Sequence, residues 1–244
     1  MFCSRGKKVY LFGGQYQNQI YNDLWCFDLS SSTWSFISTS NPPQARCGHK
    51  MVYADKKIYI FGGEALLQST TKYNDLWVYD LQTKSFTDIT PTAPATKPSA
   101  RAHFGMAKFP ELNQILIFGG HGNNYLNDLW FLNYISTTFA QSNHANSPSA
   151  RDKFCFIKLK DKFFLYGGTS GYAALDDSYF FYYSTYRETT SQGIMISSQN
   201  PTKLCYRYFQ FSPPPPANAD VKFQIAYSSN GINYSQFLVP DGTT

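Results

Sequence analysis

Hydrophobic residues along this chain come in short runs, each stopped by glycines or a polar turn, and the run lengths predict strands. Four times an aliphatic and aromatic run ends in two glycines, and a polar gap later a second run opens on Asp. The first copy reads Val9, Tyr10, Leu11, Phe12, Gly13, Gly14, then Tyr21, Asn22, Asp23, Leu24, Trp25. The second reads Ile58, Tyr59, Ile60, Phe61, Gly62, Gly63, then Tyr73, Asn74, Asp75, Leu76, Trp77. The third reads Ile115, Leu116, Ile117, Phe118, Gly119, Gly120, then Asn127, Asp128, Leu129, Trp130, and a worn fourth runs from Phe163 through Gly167 and Gly168 to Asp177, Ser178, Tyr179. The glycine pairs fall 49, 57 and 48 residues apart, the period of one small sheet per repeat rather than of a helical pair.

Each copy reads as a four-stranded antiparallel meander. In the second, the expected strands are Lys50 to Tyr53, Lys57 to Phe61, Asp75 to Tyr79 and Ser85 to Ile89, with Ala54, Asp55 and Lys56 as the first turn. The paired glycines allow a positive-φ bend and a close backbone approach. Asn and Asp at the head of the third strand are suited to hydrogen-bonding nearby backbone groups, while the following Leu and Trp straddle the two faces. The repeats occupy residues 1–40, 46–92, 101–140 and 151–190. Residues 191–244 form a divergent β-rich segment, interrupted by the rigid run Pro213 to Pro216. Its candidate strands are Ile194 to Ser197, Leu204 to Phe211, Lys222 to Ser228 and Asn233 to Val239, either a fifth sheet or a small separate module.

Composition supports the all-β reading. Of 244 residues 43% are hydrophobic, enough for a full core, and the 18% aromatic share exceeds the 15% charged share, which suits half-buried pleated surfaces. The 21 Lys and Arg outnumber the 16 Asp and Glu to give +5, but they are dispersed, which argues against nucleic acid as a partner. Five cysteines without a CxxC pair point to reduced structural thiols and an intracellular setting, cytoplasmic or cytoskeletal. No apolar stretch reaches the length of a membrane span, so no membrane insertion is expected.

Arg46, Gly48 and His49, the run ending in FGG, the Asn-Asp-Leu-Trp phrase and the later aromatic (Phe86, or Trp34 in the first copy) together resemble the kelch repeat over about residues 1–180. The resemblance implies a β-propeller in which each repeat forms about one blade around a common axis. Such propellers usually close with more than four blades. Three explanations stay open: a longer protein, an incomplete ring, or strands supplied by the tail. Pairing the first copy with the second sets Met1 against Lys50, so the chain begins inside a blade. The fourth copy keeps Arg151 but has Phe154 in place of His49, Ser178 and Tyr179 in place of Leu and Trp, and Glu188 where an aromatic is expected, as in an edge blade.

No catalytic constellation emerges. His49, His103, His121 and His144 show no convergence on a metal or nucleophile, and the recurrent Asp23, Asp75, Asp128 and Asp177 fit a need common to every blade. The resemblance also brings in a galactose-oxidase-like or carbohydrate-binding extracellular propeller as the alternative. A copper-radical site would need a Tyr crosslinked to Cys with Tyr and His ligands from separate blades, and no such arrangement is identified. The expectation is therefore a non-enzymatic module that binds other proteins, or a structural subunit of a larger assembly, with no cofactor and no metal. Loops between strands two and three open on the same face as the links between repeats, and these carry the length variation. Candidate contacts on that face are Glu64, the apolar pair Leu66 and Leu67, His121, and Arg46, Arg101 and Arg151, for which a structural bond to a neighbouring loop is an equal reading. The glycine pairs with Trp25, Trp77 and Trp130 are assigned to the scaffold.

Overall fold

The computed structural model describes residues 2–66, 70–93, 96–142, 147–160, 162–171, 173–182 and 205–208. They form four antiparallel sheets of four strands each, the blades of a kelch-type β-propeller. The first blade contains β1 (Phe2–Arg5), β2 (Lys8–Tyr16), β3 (Gln19–Asp28) and β4 (Thr33–Ile37). The second contains β5 (Lys50–Ala54), β6 (Lys57–Phe61), β7 (Leu76–Asp80) and β8 (Ser85–Asp88). In the third are β9 (Gly105–Phe109), β10 (Gln114–His121), β11 (Tyr125–Asn133) and β12 (Thr138–Ser142). The fourth has β13 (Cys155–Lys158), β14 (Lys162–Tyr166), β15 (Ser178–Tyr182) and β16 (Cys205–Tyr208).

Each blade is a meander because its turns are too short for anything else. Asp55 and Lys56 both take positive φ, at 45° and 60°, which is the two-residue hairpin turn whose twist matches that of the flanking strands. The expected three-residue turn is thus one residue shorter, and β5 runs on to Ala54. β7 begins at Leu76 rather than Asp75, since Asp75 turns its carboxylate toward Arg46. The fourth blade takes its outer strand from the tail, Cys205–Tyr208 pairing with β15. The expected strands at 194–197, 222–228 and 233–239 and the proline run 213–216 lie outside the described residues.

Alternate strand positions point to opposite faces, so each blade offers one apolar face to the blade before it and one to the blade after. Tyr10, Phe12 and Cys26 of the first blade meet Ile58, Ile60 and Tyr79 of the second. Tyr59, Phe61 and Val78 meet Ile115, Ile117 and Trp130 across the next gap, and Leu116, Phe118 and Phe131 meet Phe163, Leu165 and Phe181 across the last. Phe12, Phe61 and Phe118 are all fully buried, each stabilising its interface by about 2 to 3 kcal/mol of transferred apolar surface. The leading strands β1, β5, β9 and β13 lie side by side in that order, with no contact of comparable extent between β13 and β1 among the described residues. The four blades therefore form an arc.

Candidate interaction face

The recurrent arginine and aspartate are partners. Arg46 donates from Nη1 and Nη2 to the two carboxylate oxygens of Asp75 at 2.6 and 2.7 Å, and from Nη1 to the Gly62 carbonyl at 2.9 Å. Arg101 repeats this with Asp128 (2.6 and 2.7 Å) and the Gly119 carbonyl (3.1 Å), and Arg151 with Asp177 and the Gly167 carbonyl. In each clamp the second carboxylate oxygen also accepts a hydrogen bond from the residue two positions on: Trp77 Nε1 at 2.8 Å, Trp130 Nε1 at 2.7 Å, or the Tyr179 hydroxyl at 3.0 Å. Bidentate charge-assisted geometry of this kind makes the burial of a guanidinium tolerable. Asp177 is held below the usual carboxylate range by its Arg151 hydrogen bonds. Burial alone would raise Asp128, but the bonds and charge of Arg101 outweigh it and leave that carboxyl lowered too.

Each arginine also fastens its blade to the preceding one through the backbone. The carbonyls of Arg46, Arg101 and Arg151 accept from the second glycine of the preceding blade, Gly14, Gly63 and Gly120, at 2.8 to 2.9 Å. Their amides donate to Tyr21, Tyr73 and Leu126 of that same blade. The side chain is bound within one blade and the main chain to its neighbour, so one residue acts as a rivet. All three arginines are fully buried, which is the structural bond of the two readings given above and leaves none of these three guanidinium groups on the surface.

The residues just after the arginines and after the glycine pairs share the loop-bearing end of the arc. Cys47 bridges to Glu64, Ala102 to His121 and Asp152 to Thr169. His103 donates its amide to the Gly48 carbonyl of the preceding blade, and Lys153 does the same to His103. This staircase brings His103 Nε2 to 2.8 Å from Glu64 Oε1, with Lys72 Nζ at 3.7 Å from the other carboxylate oxygen. His121 lies against the Tyr125 ring at 4.7 Å, and burial followed by the charge of Lys72 lowers its pKa. Asp152 is buried, its Oδ1 has no hydrogen-bond partner among the described residues, and burial raises its pKa. A cleft of about 230 Å³ opens between Gly14, Cys47, Gly48, His49, Lys50 and His103.

Of the sequence candidates, Glu64 and His121 are brought to this common face, both within the electrostatic reach of Asp152. Leu66 is 39% exposed beside them in sequence, and Leu67 lies outside the described residues. Lys72, His103 and Asp152 were missed. The signal for His103 and Asp152 is that they stand where the copies disagree: Cys47, Ala102 and Asp152 share one repeat position, and Gly48, His103 and Lys153 the next. Among the described residues no group of three or more His, Cys, Asp or Glu side chains is placed to hold a metal ion, and no helix is long and apolar enough to cross a membrane.

A propeller arc whose repeated residues are consumed by blade architecture belongs to the class of repeat proteins built from stacked small sheets. The family described as the KLHDC2/KLHL20/DRC7 Kelch-repeats domain matches residues 1–168, and the chain belongs to the kelch-repeat family. Kelch domain-containing protein 3 of Bos taurus is 32% identical over 181 residues, covering 69% of this chain and 46% of that protein. The Leucine-zipper-like transcriptional regulator 1 homolog of Drosophila melanogaster is 37% identical over 124 residues (48% and 12%). The Dynein alpha chain, flagellar outer arm, of Chlamydomonas reinhardtii is 30% identical over 156 (60% and 3%). The chain thus spans about half the length of Kelch domain-containing protein 3. Kelch propellers generally serve as protein interaction modules and are generally non-enzymatic.

Proposed function

We propose that this chain is a non-catalytic protein-binding module, acting inside the cell as a subunit of a larger assembly, and that its partner docks on the loop-bearing end of the arc. The observation that carries this reading is the contrast between repeat positions. Where the blades need the same chemistry, the arginines are buried and engaged with the aspartates and the glycine backbone. Where they do not, the partly exposed His103 and His121 lie over the buried carboxylates of Glu64 and Asp152, with Lys72 beside Glu64, which gives this end a chemistry that differs from blade to blade. Leu66 stands exposed at its edge as the apolar contact.

The test is recovery of binding partners with the purified 244-residue chain as bait. A Leu66→Asp and His121→Glu double variant should lose a partner that the parent retains. A control altered at Asp55 and Lys84, both in hairpin turns at the opposite end of the second blade, should keep it. Equal recovery by all three proteins would remove the loop-bearing end from consideration.

A further inference from the structure

Strand direction sorts the charges of this chain between the two ends of its blades. At the loop-bearing end the clamp arginines are cancelled by Asp75, Asp128 and Asp177, and Lys72 lies beside Glu64. The hairpin turns that join first to second strands, and third to fourth, fall at the other end. There Arg5, Lys7, Lys8, Lys56 and Lys160 are exposed and Lys108 is half-buried. None of these cations belongs to an ion pair among the described residues. Among the described residues, basic side chains outnumber acidic ones at the turn end and do not at the loop-bearing end. Cations dispersed along the chain are thus gathered by the fold.

The leading strands bring them together. β1, β5, β9 and β13 lie side by side, and by register Tyr53, Lys108 and Lys158 share one repeat position close to the turn, with Arg5 one step further along β1. Arg5 Cζ stands 5.7 Å and Lys108 Nζ 6.0 Å from the centroid of the same Tyr53 ring. Cations of the first and third blades therefore converge on the blade between them. Most carboxylates at this end are occupied: Asp28 and Asp80 accept from the amides of Ser30 (2.8 Å) and Gln82 (2.7 Å), and Glu111 holds Lys158 at 3.2 Å. Asp55 adds an exposed carboxylate in its own turn. Like charges gathered in this way repel one another, and an anionic ligand relieves that repulsion. Because blades pack side by side, this surface does not depend on what lies at either edge of the arc.

We propose that the turn end is a second docking surface, which takes an acidic segment of a partner protein laid across Tyr53 between Arg5 and Lys108. A polypeptide suits it better than a nucleic acid. Asp28, Asp55, Asp80 and Glu111 interleave the cations and would repel a backbone charged at every step, whereas a peptide can place its acids between them. Apart from Arg5 the cations are lysines, which act as point charges rather than as the paired donors that grip phosphate. The surface lies opposite the one assigned to the partner above and stands independently of it.

Fluorescence anisotropy of a fluorescein-labelled decaglutamate peptide, titrated with the 244-residue chain, tests this. The parent should bind at low ionic strength and lose affinity as salt screens the charges. Arg5→Gln with Lys108→Gln should weaken binding about tenfold. Lys56→Gln with Lys160→Gln, which leaves the cations at the Tyr53 ring in place, should weaken it about threefold, and it decides the matter if near-ultraviolet circular dichroism shows the first pair misfolded. Lys97→Gln with Lys153→Gln removes the same charge from the loop-bearing end and should leave binding unchanged. Absence of binding by the parent, equal weakening by all three variants, or tighter binding of a labelled thymidine decanucleotide at the same salt would overturn the proposal.

Discussion

The first and third blades share the same phrase, Val9 to Trp25 in one and Ile115 to Trp130 in the other, yet they live in different surroundings. The third is buried on both faces, with Leu116 and Phe118 packed forward and Ile115 and Ile117 packed back, all 0% exposed. In the first, Tyr10 and Phe12 are buried forward while Trp34 and Phe36 face outward. Asp128 is clamped by Arg101, whereas Asp23 keeps the Trp25 indole at 2.6 Å and has no arginine opposite it among the described residues. The phrase encodes a blade's internal geometry; most of its stabilisation comes from the neighbours on either side.

This difference can be broken most strongly in the core. Phe118→Ala should cost about 4 kcal/mol through lost burial and a residual cavity, whereas Phe36→Ala should stay within about 0.5 kcal/mol in the monomer, both read from urea midpoints. Next comes the clamp. Arg101→Met leaves Asp128 and the Gly119 carbonyl without their main partner and should cost about 3 kcal/mol, the low end for such a break because Asp128 keeps 21% exposure. Asp23→Asn in the first blade should cost well under about 1 kcal/mol.

The second glycine of each pair sharpens the comparison further. A Cβ on Gly120 would stand 2.6 Å from Phe104 Cβ and 2.8 Å from the Ala102 carbonyl, at φ +97°. On Gly14, at φ +116°, it would meet nothing within 4 Å. Gly120→Ala should therefore lose about 3 kcal/mol by collision and backbone strain together, and Gly14→Ala about 1 kcal/mol by strain alone, as thermal denaturation would show. The smallest effect is on pH dependence. Burial holds His49 well below its ordinary pKa, so the unfolded chain takes up the proton first and stability declines as pH falls below about 6.5. His49→Phe, which installs the residue found at Phe104 and Phe154, should flatten that slope, by at most about 1.4 kcal/mol per pH unit. The depressed Asp128 acts lower: its contribution is intact above about pH 4 and is lost as pH falls through its folded value.

Fold class, repeat period and strand order were legible because they depend on local chemistry. Glycine pairs need positive φ, short turns impose meanders, and alternating residues define faces. The tie between arginine and aspartate was not legible, since the partners lie 26 to 29 residues apart and nothing in either neighbourhood names the other. Sequence reasoning gave the aspartates to backbone hydrogen bonds, when their partners are a guanidinium and an indole or phenol. Glu64 and His121 stood out as loop residues next to a glycine pair. Asp152 and His103 did not, because their place beside Glu64 and His121 depends on how one blade steps onto the next.

The hydrogen bond from indole to carboxylate has a practical consequence. Trp25, Trp77 and Trp130 each hold Nε1 on an aspartate, one in each of the first three blades, whereas the fourth blade uses the Tyr179 hydroxyl. Intrinsic indole emission, over a background from the exposed Trp34, therefore gauges the clamps of the second and third blades and the Asp23–Trp25 bond of the first, and is blind to the fourth blade. Loss of far-ultraviolet strand signal ahead of any emission change would mark the fourth blade as the first to let go.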